Sequence, residues 1–209
     1  MAKKIPSAIL TFRFPGLVYF ENNFEDPMIR NGAPDETEIQ AALVCSKKHA
    51  LQIRVKNGGG MTRDYEGLSY LCKTPFVISD LVDLRLISID LEEETTWVLS
   101  KATVGDLYYT IAQNSRIHGF PAGICQCVGI DGHFSGGGVG TMTRQYGLAA
   151  ENITATNLID ADARILNREA VGEDLLLAIR GGGGASFGII VAWKIKLVWV
   201  PPVVTVFTI

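Results

Sequence analysis

Apolar and polar positions along this chain follow two periods, and the places where the period changes divide it into short elements. Asp35, with Glu38 three residues on, has the form of a helix N-cap, and Ile39, Ala42 and Leu43 then recur at helical spacing towards His49. Residues 51–55 alternate and run into Asn57-Gly58-Gly59-Gly60, which predicts a strand entering a glycine loop. A short buried strand is expected at residues 76–78, and a hairpin from residues 86–89 and 96–99 around the acidic turn Glu92-Glu93-Glu94. Thr103 with Asp106 opens a second helix, whose apolar face is Leu107, Tyr108, Ile111 and Ala112 and which ends before Gly119 and Pro121. Residues 153–159 and 164–166 form a second predicted hairpin around Asp160-Ala161-Asp162, followed by a short helix over 173–179. Phe187, Ile189, Val191, Trp193, Ile195 and Leu197 then alternate along a long strand.

This order predicts an α+β protein of two lobes, residues 34–100 and 101–209, with a cleft between them. Residues 1–33 lack a sustained period and are read as a poorly specified extension. Composition agrees with a folded domain: 209 residues can bury a sizeable core, and 47% apolar with 20% charged residues is not the balance of a disordered chain. The net charge of −3 includes no long single-sign run, so nucleic acid is not an expected partner. Every apolar stretch falls short of the roughly 20 residues that cross a bilayer, and no transmembrane helix is expected. The basic start is followed by an apolar run that Pro6 interrupts and Arg13 closes, which gives no convincing signal peptide. Cys45, Cys72, Cys125 and Cys127 are too few and too irregularly spaced for a disulfide scaffold.

The candidate chemistry lies in three glycine loops, at residues 58–60, 132–140 and 181–184. Such loops can expose successive backbone N–H groups to phosphate oxygens, and three together suggest an extended phosphate-bearing ligand. None fits the dinucleotide or P-loop fingerprint. Gly184-Ala185-Ser186-Phe187-Gly188 matches G-x-S-x-G, but a helix precedes it and a strand follows, the reverse of a nucleophile elbow. Cys125 and Cys127, with His118 and His133 near in sequence, lack the spacing of a zinc site. A small buried apolar cysteine or a thiol set against a ligand both remain open there.

The run Phe120-Pro121-Ala122-Gly123-Ile124-Cys125, then Val128-Gly129 and Gly132-His133-Phe134-Ser135-Gly136-Gly137-Gly138, resembles the flavin-anchoring segment of berberine bridge enzyme-like oxidoreductases of plants. Cys45-Ser46-Lys47-Lys48, Asp64-Tyr65-Glu66-Gly67-Leu68-Ser69-Tyr70, Tyr146-Gly147-Leu148-Ala149-Ala150 and residues 172–188 are similar to the same family. The resemblance runs from about residue 34 to the end. It implies a two-lobed PCMH-type FAD-binding domain with FAD in the cleft, near Lys56, Asn57, Gly58, Gly59, Asp64, Ser69, Gly129, Gly132, His133 and Ile190. It also implies that the Cys125 sulfur can be joined to the isoalloxazine ring, which would fix the ring and raise its oxidising power. For His133 a purely structural role is open beside the flavin one.

Three departures from the family qualify this. Gly60-Met61-Thr62-Arg63 stands where the family has a histidine that forms a second flavin bond, so Cys125 is the single expected anchor. Asp131 replaces a glycine and Val139 an aromatic, and a carboxylate beside a pyrophosphate or reduced flavin is expected to cost about 1 kcal/mol or more. The family's substrate domain would begin just after Phe207, so the chain is expected to be truncated, with no catalytic base and a small-molecule substrate only if a second domain is supplied. The family is typically secreted. The competing reading is a non-catalytic residual flavin lobe, left with an exposed apolar strand over residues 191–206.

Overall fold

The computed structural model describes residues 17–20, 28–32, 35–57 and 76–205. The expectations on Gly58, Gly59, Asp64, Ser69 and Cys72 lie outside these residues.

The first sheet contains β1 (Leu17–Phe20), β2 (Met28–Gly32), β3 (Gln52–Lys56) and β4 (Phe76–Asp80) in the order β1-β2-β4-β3. β4 runs parallel to both of its neighbours, and β1 is antiparallel to β2. Two segments of the expected unspecified extension are therefore strands, one of them paired to the central β4. Helix α1 (Glu36–Lys48) starts where Asp35 accepts hydrogen bonds from the Thr37 and Glu38 amides. Glu36 and Glu38 in its first turn and Lys47 and Lys48 in its last complement the helix dipole.

The second sheet is antiparallel throughout, in the order β5-β6-β10-β8-β9, from β5 (Ile87–Asp90), β6 (Thr95–Leu99), β8 (Ile153–Ile159), β9 (Ile165–Leu166) and β10 (Ile189–Lys196). The hairpin β5–β6 forms as its pattern predicts, but β6 pairs with β10. By sheet membership the hairpin thus groups with the chain after Ser100, although the expected 34–100 and 101–209 division put it in the first lobe. A two-stranded ladder pairs β7 (His118–Gly119) with β11 (Val198–Trp199), and an isolated antiparallel bridge joins Thr103 to Gly129.

Helix α2 (Val104–Asn114) carries the expected capping box, with Thr103 and Asp106 each bonding the other's amide. Helix α5 (Arg168–Gly182) is longer than the pattern suggested and is broken at Gly172 and again at Arg180 and Gly181. Short helices α3 (Ile130–Ser135) and α4 (Thr143–Tyr146) lie between.

Strand β10 is the wall between the lobes. Ile190, Trp193 and Ile195 join the main core with Leu107, Phe134 and Ile179, whereas Ile189 and Val191 pack with Ile39, Leu81 and Leu84 of the first lobe. Strict alternation would set Ile190 and Trp193 on opposite faces. The register shift between Ile190 and Ala192 inserts one residue and returns both to the same core. The competing reading's exposed strand over 191–206 is corrected accordingly: Val191 to Ile195 are largely buried, and exposure of large apolar groups starts at Trp199 and continues at Val203 and Val204. Below the wall, buried Asp80 lies 3.3 Å from the Lys56 ammonium and 3.8 Å from that of buried Lys101, and Ser100 Oγ donates to the Ile190 carbonyl.

Candidate flavin site

Residues 120–140 are organised around α3, several of whose residues are tied to different parts of the molecule. Phe134 is fully buried between Phe120 and Trp193, at ring-centre distances of 5.2 and 6.2 Å. The Ile130 amide donates to the Ala102 carbonyl, which fastens the start of α3 to the residue before the α2 cap. Ser135 donates to the Asp131 carbonyl and accepts, through its own carbonyl, from the Gly183 amide. Residues 130–135 are thus helical, so Gly132 lies within a helix and not in the open glycine loop expected from its sequence.

The cysteines sit on the turn that precedes α3. Val128 N–H donates to the Cys125 carbonyl, while the first two amides of α2, from Val104 and Gly105, donate to the carbonyls of Val128 and Gln126. Those helix amides have no partner within α2, so the turn supplies one. Gly105 permits the approach, since a Cβ there would lie 3.0 Å from both the Gln126 carbonyl oxygen and its Cβ. On this pinned turn Cys125 and Cys127 are both exposed thiols, with sulfurs 3.4 Å apart.

His133 faces inward. Its Nε2 accepts the Gly123 amide at 2.8 Å, and the Gly123 carbonyl accepts from the Tyr108 hydroxyl at 2.9 Å. Burial holds the imidazole below its ordinary pKa, which keeps Nε2 available as an acceptor. The His133 and Tyr108 contacts clamp the residue two places before Cys125. His118, the other histidine near the cysteines, is bonded to Ser115 and faces Glu94 instead. Among the described residues no group of three or more His, Cys, Asp or Glu is placed to hold a metal ion.

Asp131 is not the free carboxylate expected beside the ligand. One oxygen accepts from the Asn57 side-chain amide at 2.8 Å, the other from the Trp193 indole N–H at 3.2 Å, and burial pushes the carboxyl up to about 6. The acid is turned into the interior, where it ties the end of β3 in the first lobe to α3 and β10 in the second. Its cost thus falls on desolvation of the protein rather than on repulsion of a ligand. Asp131, Trp193 and Tyr108, which hold the candidate site in place, were not given by the sequence as site residues.

The glycines separate by what a side chain would meet. Gly138, at φ +73°, has no room because a Cβ would stand 2.5 Å from that of Ala149; at Gly184 it would reach Ile190 Cδ1 at 2.2 Å, and at Gly140 the Ala122 carbonyl oxygen at 1.9 Å. These three serve close packing, and the third glycine loop is held against the second. Gly140→Ala is expected to destabilise the chain by about 3 kcal/mol or more, read as a fall in the urea midpoint, because the obstacle is backbone and cannot rotate away. Gly132 is different, since a Cβ there would meet nothing within 4 Å. Among the described residues no neighbour accounts for its missing side chain.

Of the expected site residues within the described chain, Asn57 meets α3 through Asp131, and Gly129, Gly132 and His133 lie on or beside α3 just after Cys125. Ile190 is buried behind them against Gly184, and the Lys56 ammonium turns to Asp80. A cavity of about 640 Å³ opens between the lobes, lined among others by Ile53, Arg54 and Val55 of β3 and by Ile159, Phe187 and Ile189 of the second lobe; none of Asn57, Cys125, Gly129, Gly132 and His133 lines it. Among the described residues no helix is long and apolar enough to cross a membrane.

This two-lobed α+β arrangement, with an interlobe cavity and an exposed cysteine on a glycine-rich turn, is that of a flavin-binding fold, and the chain belongs to the FAD binding domain family, whose model matches residues 33–168. It is 57% identical over 171 residues to O-acetylstemmadenine oxidase of Catharanthus roseus, an alignment covering 82% of this chain and 32% of that protein. It is 45% identical over 201 residues to tetrahydroberberine oxidase of Berberis wilsoniae, covering 96% and 37%. Among solved structures it superposes on berberine bridge enzyme from Eschscholzia californica with a TM-score of 0.75 and 50% identity, covering 84% of this chain and 34% of that one. A berberine bridge enzyme-like protein of Arabidopsis thaliana gives a TM-score of 0.78 at 46% identity, covering 83% and 35%. The chain spans about a third of the length of the curated relatives it matches. It is an FAD-binding domain of the PCMH type, of the berberine bridge enzyme-like kind.

Proposed function

We propose that the domain holds FAD in the cleft between its lobes, with Cys125 as the single covalent anchor, as part of an oxidoreductase acting on a small organic molecule. The observation that carries this reading is the pairing of an exposed Cys125 thiol on a backbone-pinned turn with the open face of Gly132 on the helix that follows. A missing side chain that no described residue explains leaves room for something that approaches from outside. FAD supplies a two-electron acceptor when bound.

The chain's own residues do the positioning. His133 and Tyr108 fix Gly123, and the α2 amides fix the turn, so the Cys125 sulfur is presented at a defined place. Gly129 and Gly132 present the flavin side of α3, while His133 through Gly123, and Asn57 through Asp131, hold that surface in place from within, with Lys56 and Ile190 as further expected FAD neighbours. Gly58, Gly59, Asp64 and Ser69, outside the described residues, are FAD neighbours by the family resemblance alone. None of these residues is assigned as catalytic base, and substrate choice belongs to a substrate domain of the kind the family carries.

Cys125→Ala is the test. The parent, reconstituted with FAD, is expected to keep its yellow colour through acid precipitation, and the variant to bind FAD but release essentially all of it on acid denaturation. A parent that releases its flavin as completely as the variant would show that Cys125 is no anchor.

A further inference from the structure

We propose that Cys125 and Cys127 are a reversible dithiol–disulfide site, which closes on exposure to a small-molecule disulfide such as glutathione disulfide. The consequence drawn for the flavin rests on the reading of Cys125 as its anchor; the disulfide itself does not.

The two sulfurs are already in contact at 3.4 Å, and both residues are exposed. A disulfide requires an S–S distance of about 2.0 Å, and rotation of two exposed side chains about their Cα–Cβ bonds can supply a closure of that size. The backbone need not be recruited, because Val128 bonds the Cys125 carbonyl while Val104 and Gly105 bond the carbonyls on either side of Cys127. An unfolded chain must find the same tight ring against its own conformational freedom. The Cys127 thiol is held in its protonated form by its hydrogen bond to Cys125 and by the charge that Cys125 carries when ionised. Either thiolate can open the exchange, and where Cys125 attacks first Cys127 resolves.

The step balances. The Cys125 thiolate attacks one sulfur of glutathione disulfide, forming a mixed disulfide and expelling one glutathione thiolate. Cys127 then gives up its proton and attacks the Cys125 sulfur, expelling the second glutathione. Two protein thiols are oxidised, one glutathione disulfide is reduced to two glutathione thiols, and the protons pass to the leaving sulfurs. While the disulfide stands, the Cys125 sulfur is unavailable to a flavin, so attachment is restricted to the reduced turn.

The full chain, reduced and then equilibrated across glutathione and glutathione disulfide ratios, is alkylated and weighed intact and after digestion. The peptide carrying both cysteines is expected to lose two hydrogens, and Cys127→Ser and Cys125→Ser each to take up one glutathione on the remaining cysteine instead. In urea at the same ratio, the disulfide fraction is expected to fall several-fold. A pair that stays reduced, or that takes up two glutathiones without closing, under conditions that modify each single variant overturns the proposal, as does an equal disulfide fraction in the unfolded chain. FAD added to the oxidised and the reduced chain separates the two readings. Acid-stable flavin only in the reduced chain supports both, acid-stable flavin in both chains refutes the masking of Cys125, and acid-labile flavin in both refutes the anchor while the mass result still decides the disulfide.

Discussion

Replacing Trp193 with alanine is expected to lower the unfolding free energy by about 3–5 kcal/mol. Trp193 has no exposed surface, meets Phe134 edge-on at 6.2 Å, and sits in the strand that divides the lobes. Its loss opens a cavity in the main core and also removes one of the two donors to Asp131. Urea unfolding followed by circular dichroism reads the change. Trp193→Phe separates the contributions, since it restores most of the apolar volume but no indole N–H, and about 1–3 kcal/mol of the loss is expected to persist as the cost of an unmatched buried acceptor. A phenylalanine variant as stable as the parent would mean that the Asp131 contact contributes nothing.

The second large effect is a pH dependence carried by Asp131. Its folded pKa is raised by burial to about 6 from an ordinary value of 3.8, so between those values the folded chain binds more protons than the unfolded one. The native state is therefore favoured at low pH through this group, and that advantage is lost as pH rises through about 6. At one pKa unit per roughly 1.4 kcal/mol, the change is on the order of 3 kcal/mol. Other carboxylates titrate in the same region, so the comparison is with Asp131→Asn, which has the same shape and does not titrate. The stability difference between parent and variant is expected to move by roughly 2 kcal/mol in the parent's favour between pH 7 and pH 4, the rest following below pH 4. Curves that stay parallel would place the carboxyl in contact with solvent and remove its role as a buried tie between the lobes.

The contrast between Asp131 and the helix caps marks what could be read before folding. Asp35 with Thr37 and Glu38, and Thr103 with Asp106, interact over two or three residues, so composition at fixed offsets was enough to find both helices. The partners of Asp131 lie 74 and 62 residues away, and nothing local announces that its carboxyl turns inward. The hairpin at residues 87–99 was legible from alternation and its acidic turn, while its sheet was not, since that depends on β6 meeting β10 far later in the chain. In β10 itself, alternation marked the strand but hid the inserted residue that brings Ile190 and Trp193 to one core.

The candidate site was legible to a different degree at each residue. Cys125 and the glycine run stood out, and family resemblance supplied their meaning; the clamp of His133 on Gly123 needed the fold, because the same imidazole could equally have faced a ligand. Glycines that look alike in sequence divide only once their surroundings are known. Gly138, Gly140 and Gly184 are empty so that the chain can pack, and Gly132 is empty towards the outside.

This domain is expected to hold FAD. Titrating the folded chain with FAD, with flavin fluorescence and the visible spectrum recorded alongside circular dichroism, tests it most directly. Saturable binding of one FAD per chain, with a perturbed flavin spectrum and an increased urea midpoint, is the predicted result. A chain that is folded by circular dichroism yet leaves the flavin spectrum and its own stability unchanged at saturating FAD would contradict it.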